Sequence, residues 1–302
     1  MSIRSPFFYV GDKYKLMDQL KELFPNDINR YFEPFLGGGS SFINTKSNKY
    51  ILNDINSNVI DLHNHFISKS NNTEKFINEL LDIIKKYNLS CSLLSNDIPI
   101  DLKKKYPKTY YAKYNYNSYK QLKNDYNKSH DINLLYLLLI YGFNHMIRFN
   151  AKGEFNLPVG NVDFNKNVKQ AIVNYLHFVN LKDIELYNLD FETFLNRQKF
   201  TTGDFIYFDP PYLISMSEYN SLWNEEKERR LYFILDKLDE MNVKWGLTNL
   251  LNHKGQHNSI LEDWMKKYNV YDIKSNYISF NDNTIKKESK EVYVTNYGKS
   301  NF

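Results

Sequence analysis

A single cysteine, Cys91, stands in the 302 residues of the chain, which excludes an internal disulfide and any zinc site built on cysteine thiolates. No apolar run approaches the roughly 20 residues needed to cross a bilayer, so a membrane partner is not expected. The opening MSIRSPFFYVGDK lacks the apolar core and cleavage site of a secretory signal, and the expected location is the cytoplasm. The histidines show no metal-ligand grouping: His253 and His257 are four apart but have no third ligand, so no metal is expected. There is no Ser-His-Asp or phosphate-loop pattern. The glycines never fall as G-x-G-x-x-G, which disfavours a nicotinamide or flavin dinucleotide. Excess charge is small too: +4, with a pI near 8.7, does not by itself name nucleic acid as a partner.

What is present reads as an α/β chain. Strands are predicted at Arg30–Glu33, Lys49–Leu52, Ile184–Leu186, Asp204–Phe208, Lys244–Thr248 and Val292–Asn296, with an extended stretch at Ile273–Phe280. Helical patterns fall between them: one starting at about Ser40, one over Asn167–Leu176, and a charged one over Glu225–Glu240. Strands alternating with helices imply a mostly parallel sheet covered on both faces, and the final strands imply an antiparallel edge. Residues 70–165 interrupt that rhythm with helical spacing and polar loops. Within them, Leu134–Ile140 reads as a buried helix capped by Asp131. The expected division is a body of residues 1–69 and 166–302 and a helical insert of residues 70–165.

The stretch IYFDPPYLIS, residues 206–215, ends a buried strand with an acid, two prolines and a tyrosine. Proline cannot donate to a ladder and fixes its own backbone angle, so Asp209 and Tyr212 are presented rigidly at a strand's carboxyl end, where open α/β sheets place ligands. An exocyclic ring amine is a poor nucleophile. A carboxylate and a backbone carbonyl that accept its hydrogens, here Asp209 and Pro210, would restore its amine character. Tyr212 could stack on the ring, or be a core tyrosine beside a capping Asp. In FEPFLGGGSSF, glycines directly follow a strand and let a ligand approach the backbone. Asp54 then closes the next strand seventeen residues after Gly37, where such folds hold ribose hydroxyls. Lys13, beside Gly11, either pairs with a ligand carboxylate or is solvated. Residues 103–128 interleave Lys with Tyr around one acid, Asp125, and suit either a nucleic acid or a solvated helix with tyrosines packed inward. The run GFNHMIRFNAKGEFNLPVGN sets Arg148 among amides that could read base edges, or Arg148 may simply neutralise Glu154.

Taken in order, FEPFLGGGS, NDIN, FNLPVG, GDFIYFDPPY and EVYVTNY resemble the Dam-type, α-group DNA adenine-N6 methyltransferases that use S-adenosylmethionine. The resemblance covers most of the chain and implies a Rossmann-like methyltransferase sheet with a mainly helical target-recognition insert. Carried over, it implies that Tyr9 and Lys13 approach the methionine end of the cofactor. Glu33, Pro34, Phe35, Gly37, Gly39 and Ser40 would line its bed, Asp54 would hold its ribose, and Asp190 and Asp209 would complete the site. Asp209, Pro210, Pro211 and Tyr212 would be the catalytic motif. Asn144, Arg148, Asn150, Lys152 and Asn156 would meet DNA, with Lys113, Lys120 and Lys287 as phosphate contacts.

Two positions depart from the family pattern. Phe8 stands where many members carry the lysine of a Lys-Trp pair, and Asn161 follows PVG where Arg is frequent, so a GATC target is not supported. The implied reaction transfers a methyl group to adenine N6 in duplex DNA by base flipping, leaving S-adenosylhomocysteine. The chain is expected either to be the modification enzyme of a restriction-modification system, with the endonuclease a genetic but not a physical partner, or to be a solitary or phage methylase, and it is expected to act as a monomer. The rival readings are a cytosine or RNA acceptor, and a binding protein without turnover.

Overall fold

The computed structural model describes residues 2–94, 98–215, 223–274 and 289–298. Its sheet is built on β1 (Arg30–Glu33), β2 (Lys49–Asn53), β3 (Asp183–Tyr187), β4 (Asp204–Phe208) and β5 (Lys244–His253), all parallel, with β6 (Gln256–His257), β7 (Asn269–Ile273) and β8 (Lys290–Thr295) added antiparallel. The order is β3-β2-β1-β4-β5-β8-β7, with β6 beside β5. The chain leaves β1 toward β2 on one side, while β4 lies on the other. The connections therefore diverge at the carboxyl ends of β1 and β4 and open a crevice there. Arg30 fixes the other end of this pair: its Nε and Nη2 donate to the two carboxylate oxygens of Asp204 at 2.8 and 2.6 Å.

The central strands are apolar on both faces, as a covered parallel sheet requires. Alternation divides them: Tyr31, Tyr50, Phe205 and Tyr207 enter one core, while Phe32, Ile51, Ile206 and Phe208 enter the other. The helices are α1 (Met17–Leu20), α2 (Ser57–Lys69), α3 (Thr73–Lys86), α4 (Ile100–Lys105), α5 (Tyr110–Ser129), α6 (Ile132–Tyr141), α7 (Lys166–Val179), α8 (Phe191–Asn196), α9 (Glu225–Glu240) and α10 (Ser259–Met265). Helix α6 is buried from Leu134 to Tyr141, and Asp131 caps it by accepting from the amides of Asn133 and Leu134 at 2.8 and 3.2 Å. The Tyr136 hydroxyl donates to the Pro6 carbonyl at 3.1 Å, so the helical segment and the N-terminal turn share one core.

Three expectations are corrected. No α-helix starts at Ser40; the glycine turn leads to a 3-10 turn, Phe42–Asn44, and then to an extended Thr45. The Ser41 hydroxyl turns back to Glu33 and the Thr45 hydroxyl donates to the Ser41 carbonyl at 2.8 Å, so local hydroxyl bonds replace a helical ladder. The extended stretch placed at Ile273–Phe280 overlaps the observed strand β7, Asn269–Ile273, only at Ile273, and residues 275–280 lie outside the described residues. β7 is largely exposed and carries no buried alternation that would have marked it. β5 continues past Thr248 to His253 because β8 pairs along it, with a register shift between Leu250 and Asn252.

Candidate functional site

The corner at the end of β4 is the most heavily bonded part of the crevice. Three groups surround Asp209 Oδ1: the Lys13 ammonium at 2.9 Å, the Thr248 hydroxyl at 3.0 Å and the Tyr212 hydroxyl at 3.2 Å, the last shared with Glu291 Oε1 at 2.7 Å. Asp209 Oδ2 makes no hydrogen bond among the described residues. Thr248 is held in turn by Tyr207, hydroxyl to hydroxyl at 2.9 Å, which ties the motif to β5. Lys13 is buried rather than solvated, and its ammonium also lies 4.8 Å from the Tyr212 ring centroid. Burial opposes its charge, but the carboxyls of Asp209 and Glu291 outweigh that and hold its pKa above the usual lysine range.

The glycine turn is shaped from behind. Gly37 and Gly39 have φ of +48° and +73°, and a Cβ on Gly39 would lie 2.5 Å from the Phe42 ring and 2.9 Å from His63. His63 is fully buried, with Nε2 2.9 Å from the Gly37 carbonyl and Nδ1 2.7 Å from the Tyr175 hydroxyl. A carbonyl only accepts, so Nε2 carries the hydrogen and Tyr175 donates to Nδ1. Burial pushes the His63 pKa down to about 4 and keeps the ring neutral. Asp54 faces the turn from β2: Oδ2 accepts from the Gly37 amide and Oδ1 from the Asn56 amide, both at 2.8 Å. Burial raises its pKa against those two amides.

Asn53 stitches the neighbouring loops together. Its amide donates to the carbonyls of Pro34 and Leu189 at 3.0 Å, and its oxygen accepts from the Leu189 amide at 3.0 Å. That places Asp190, the N-cap of α8, alongside Phe35; Asp190 Oδ1 accepts from the Glu192 amide at 3.0 Å. Phe35 packs against Phe191 at 5.3 Å and edge-on to Trp223 at 5.6 Å, forming an aromatic wall. The Trp223 indole is anchored to buried Glu228 at 2.6 Å. Glu33 lies buried beneath the turn, bonded by Ser41 and by the Tyr31 hydroxyl at 3.3 Å, and burial holds its pKa well above the carboxylate range. Tyr9 packs over Gly37 and Gly38, and Ser40 is buried behind them.

On the helical side, the segment from Arg148 to Asn156 folds back on itself, with Asn156 N bonded to the Arg148 carbonyl at 3.0 Å and Asn150 N to the Glu154 carbonyl at 2.9 Å. Arg148 is braced by Asn156 through Nε at 2.9 Å, and Asn150 spends its side chain on the turn, reaching Glu154 at 2.8 Å. Asn144 and His145 have φ of +54° and +51°, and the His145 ring is 5.5 Å from Phe8, itself at φ +51°. The exposed Arg4 guanidinium rests on Phe8 at 4.3 Å. On α5, Tyr119 and Tyr126 point inward while Lys113 and Lys120 are exposed, as Lys152 is in the turn. Lys287 lies outside the described residues. Among the described residues there is no group of three His, Cys, Asp or Glu side chains that could hold a metal, and no helix is long and apolar enough to cross a membrane.

The structure thus brings Lys13, Asp209 and Tyr212 into one corner, and Asp54 into contact with Gly37. Asn144 to Asn156 form a separate, helical-side group. Sequence reasoning missed Asn53, His63, Trp223, Thr248 and Glu291. Asn53 and Glu291 stood inside the quoted NDIN and EVYVTNY, whereas His63 and Trp223 carried no signal of spacing.

A doubly wound sheet with an Asp-Pro-Pro-Tyr corner at its switch point and a glycine cradle beside it defines an α/β protein whose candidate ligand site lies at the carboxyl ends of the strands. Residues 9–278 match the family model of the D12 class N6 adenine-specific DNA methyltransferases, and the chain belongs to that family. It is 34% identical over 98% of its length to Type II methyltransferase M.FokI of Planomicrobium okeanokoites, of which it covers 43%. It is 31% identical over 99% of its length to Modification methylase StsI of Streptococcus sanguinis, of which it covers 44%. Similarity to the DNA adenine methylase of Escherichia coli (strain K12) is 33% over 50% of the chain and 46% of that protein. The chain therefore spans less than half the length of the first two of these relatives.

Proposed function

We propose that the protein transfers a methyl group from S-adenosylmethionine to the 6-amino group of an adenine flipped out of duplex DNA. The observation that carries this reading is the asymmetry of Asp209: Lys13 and Thr248 donate to Oδ1, with the Tyr212 hydroxyl 3.2 Å away, while Oδ2 makes no hydrogen bond among the described residues and can accept from an incoming amine together with the Pro210 carbonyl. S-adenosylmethionine, when bound, would supply an electrophilic methyl to the amine lone pair, the C–S electron pair returning to sulfur, and the proton made acidic on the methylated nitrogen would pass through Asp209 Oδ2 to solvent. Asp209 and the Pro210 carbonyl hold the amine's hydrogens, and Tyr212 stacks on the base. The positive-φ cradle of Gly37 and Gly39, which a Cβ would fill at Gly39, fits the cofactor's close approach, and Asp54, Asp190 and the Phe35 wall suit its ribose and adenine. Arg148 and the α5 lysines make residues 70–165 the target-recognition segment. The chain acts as a monomer in the cytoplasm, needs no metal, and is paired genetically with a restriction endonuclease.

Incubation with labelled S-adenosylmethionine and unmethylated duplex DNA, followed by nucleoside analysis, tests the reading. Label should appear in 6-methyladenine and fall about a thousandfold in Asp209→Ala. Label in cytosine, or only in RNA, would overturn the adenine assignment.

A further inference from the structure

Glu291 is the second residue of the last described strand, β8, and is fully buried. A carboxyl at such a place is tolerated only where donors meet its lone pairs. Here the donors are those of the catalytic corner. The Tyr212 hydroxyl is 2.7 Å from Glu291 Oε1, nearer than its 3.2 Å approach to Asp209 Oδ1, and a phenol has one hydrogen to give. Lys13 Nζ stands 4.0 Å from the same Oε1 while pairing with Asp209. Glu291 thus fixes the Tyr212 ring from the sheet side and shares Lys13 with Asp209.

We infer that Glu291 is a positioning residue for methyl transfer, setting Tyr212 and Lys13, and that its carboxylate favours the sulfonium cofactor over the neutral thioether left after transfer. This rests on the reading in the preceding subsection. The two ligands share methionine and adenosine and differ by one methyl and one positive charge at sulfur. A carboxylate in the same water-poor corner interacts with that charge and not with its absence. Replacing it by an amide removes one negative charge whatever else flanks it, and in a partly desolvated corner this changes the preference on the order of tenfold. A structural role alone would weaken both ligands together and leave their ratio unmoved.

The test is calorimetric titration of wild type and Glu291→Gln with S-adenosylmethionine and with S-adenosylhomocysteine. The ratio of the two Kd values should move about tenfold toward the thioether in the variant; an unchanged ratio overturns the charge assignment. A double-mutant cycle of Tyr212→Phe with Glu291→Gln on kcat should be non-additive, because one hydrogen bond joins the two groups, and additivity overturns the positioning role. If Glu291→Gln fails to fold by circular dichroism, Lys13→Gln carries the test. It should move the ratio by a similar factor the other way, and a static ratio overturns the inference. A wild type that binds neither ligand and methylates nothing overturns the proposed function itself. A wild type that methylates adenine while the variants keep its ratio overturns the inference alone.

Discussion

Lys13 Nζ and Asp209 Oδ1 form a 2.9 Å ion pair within the crevice, one partner from the N-terminal turn and the other from the end of β4. The pair and the Thr248 hydroxyl both engage Oδ1, and Oδ2 makes no hydrogen bond among the described residues. The pair also closes the N-terminal segment over the glycine turn, since Tyr9, four residues before Lys13, covers Gly37 and Gly38.

Breaking this pair is predicted to cost stability and turnover together. Lys13→Gln should lower the unfolding free energy by about 3 kcal/mol, the usual loss when one partner of a mostly buried pair is removed. Because the folded lysine's pKa is raised, this contribution is fully present below the ordinary lysine pKa of 10.5 and disappears only as pH rises through the folded value. Urea unfolding at pH 7 checks it, and a variant as stable as wild type there would remove Lys13 from the fold's support.

His63 makes a pH-dependent prediction of the opposite sense. Its folded pKa is depressed from 6.5 to about 4, so its contribution is complete above 6.5 and is lost as pH falls through that window. A shift of that size corresponds to about 3 kcal/mol. His63→Gln keeps a donor for Gly37 and an acceptor for Tyr175 but cannot titrate. The variant's urea midpoint should therefore fall less between pH 7 and pH 4 than that of wild type; parallel curves would show that the imidazole is not the group being charged.

The glycine cradle separates two kinds of strain. Gly39→Ala meets both a φ of +73° and a Cβ only 2.5 Å from Phe42, so it should cost about 3 kcal/mol and at least tenfold in cofactor affinity. Gly153→Ala meets a φ of +75° with nothing within 4 Å and should cost about 1 kcal/mol, with cofactor binding untouched. Equal effects in thermal melts and titrations would mean that conformation, not crowding against Phe42 and His63, sets the requirement at Gly39.

Much of this was legible before any coordinates, and the exceptions have physical reasons. β1, β4 and α9 have the bounds their patterns imply: RYFE and DFIYF are short aromatic-rich runs, buried except at Arg30, and EEKERRLYFILDKLDE is amphipathic behind an Asn224 cap. The 3-10 turn after the glycines escaped because Ser41 and Thr45 hydroxyls compete with the backbone, which periodicity does not register. The catalytic corner was half visible. Asp209 and Tyr212 are three residues apart, but Glu291 lies 79 residues beyond Tyr212 and reaches it only because β8 pairs with β5. His63 reaches Gly37 across 26 residues for the same kind of reason: α2 lays it under the turn.

The helical side predicts two distinguishable effects on DNA. Lys123 has its pKa lowered by burial and then by the like charges of Arg148 and Lys120, so three cations crowd one patch, and phosphate oxygens would relieve that crowding. Lys120→Ala should weaken binding to all duplexes alike and reduce the slope of log affinity against log salt by about 1. Arg148 is held in orientation by Asn156, the arrangement a base-reading fork needs. Arg148→Ala should cost about 1–3 kcal/mol on the preferred sequence and far less on others, flattening the preference. Fluorescence-anisotropy titrations across salt, on preferred and scrambled duplexes, separate the two. Should Arg148→Ala behave like Lys120→Ala, the fork contacts backbone only, and sequence reading must lie elsewhere, with Arg4 on strained Phe8 as the next group to replace.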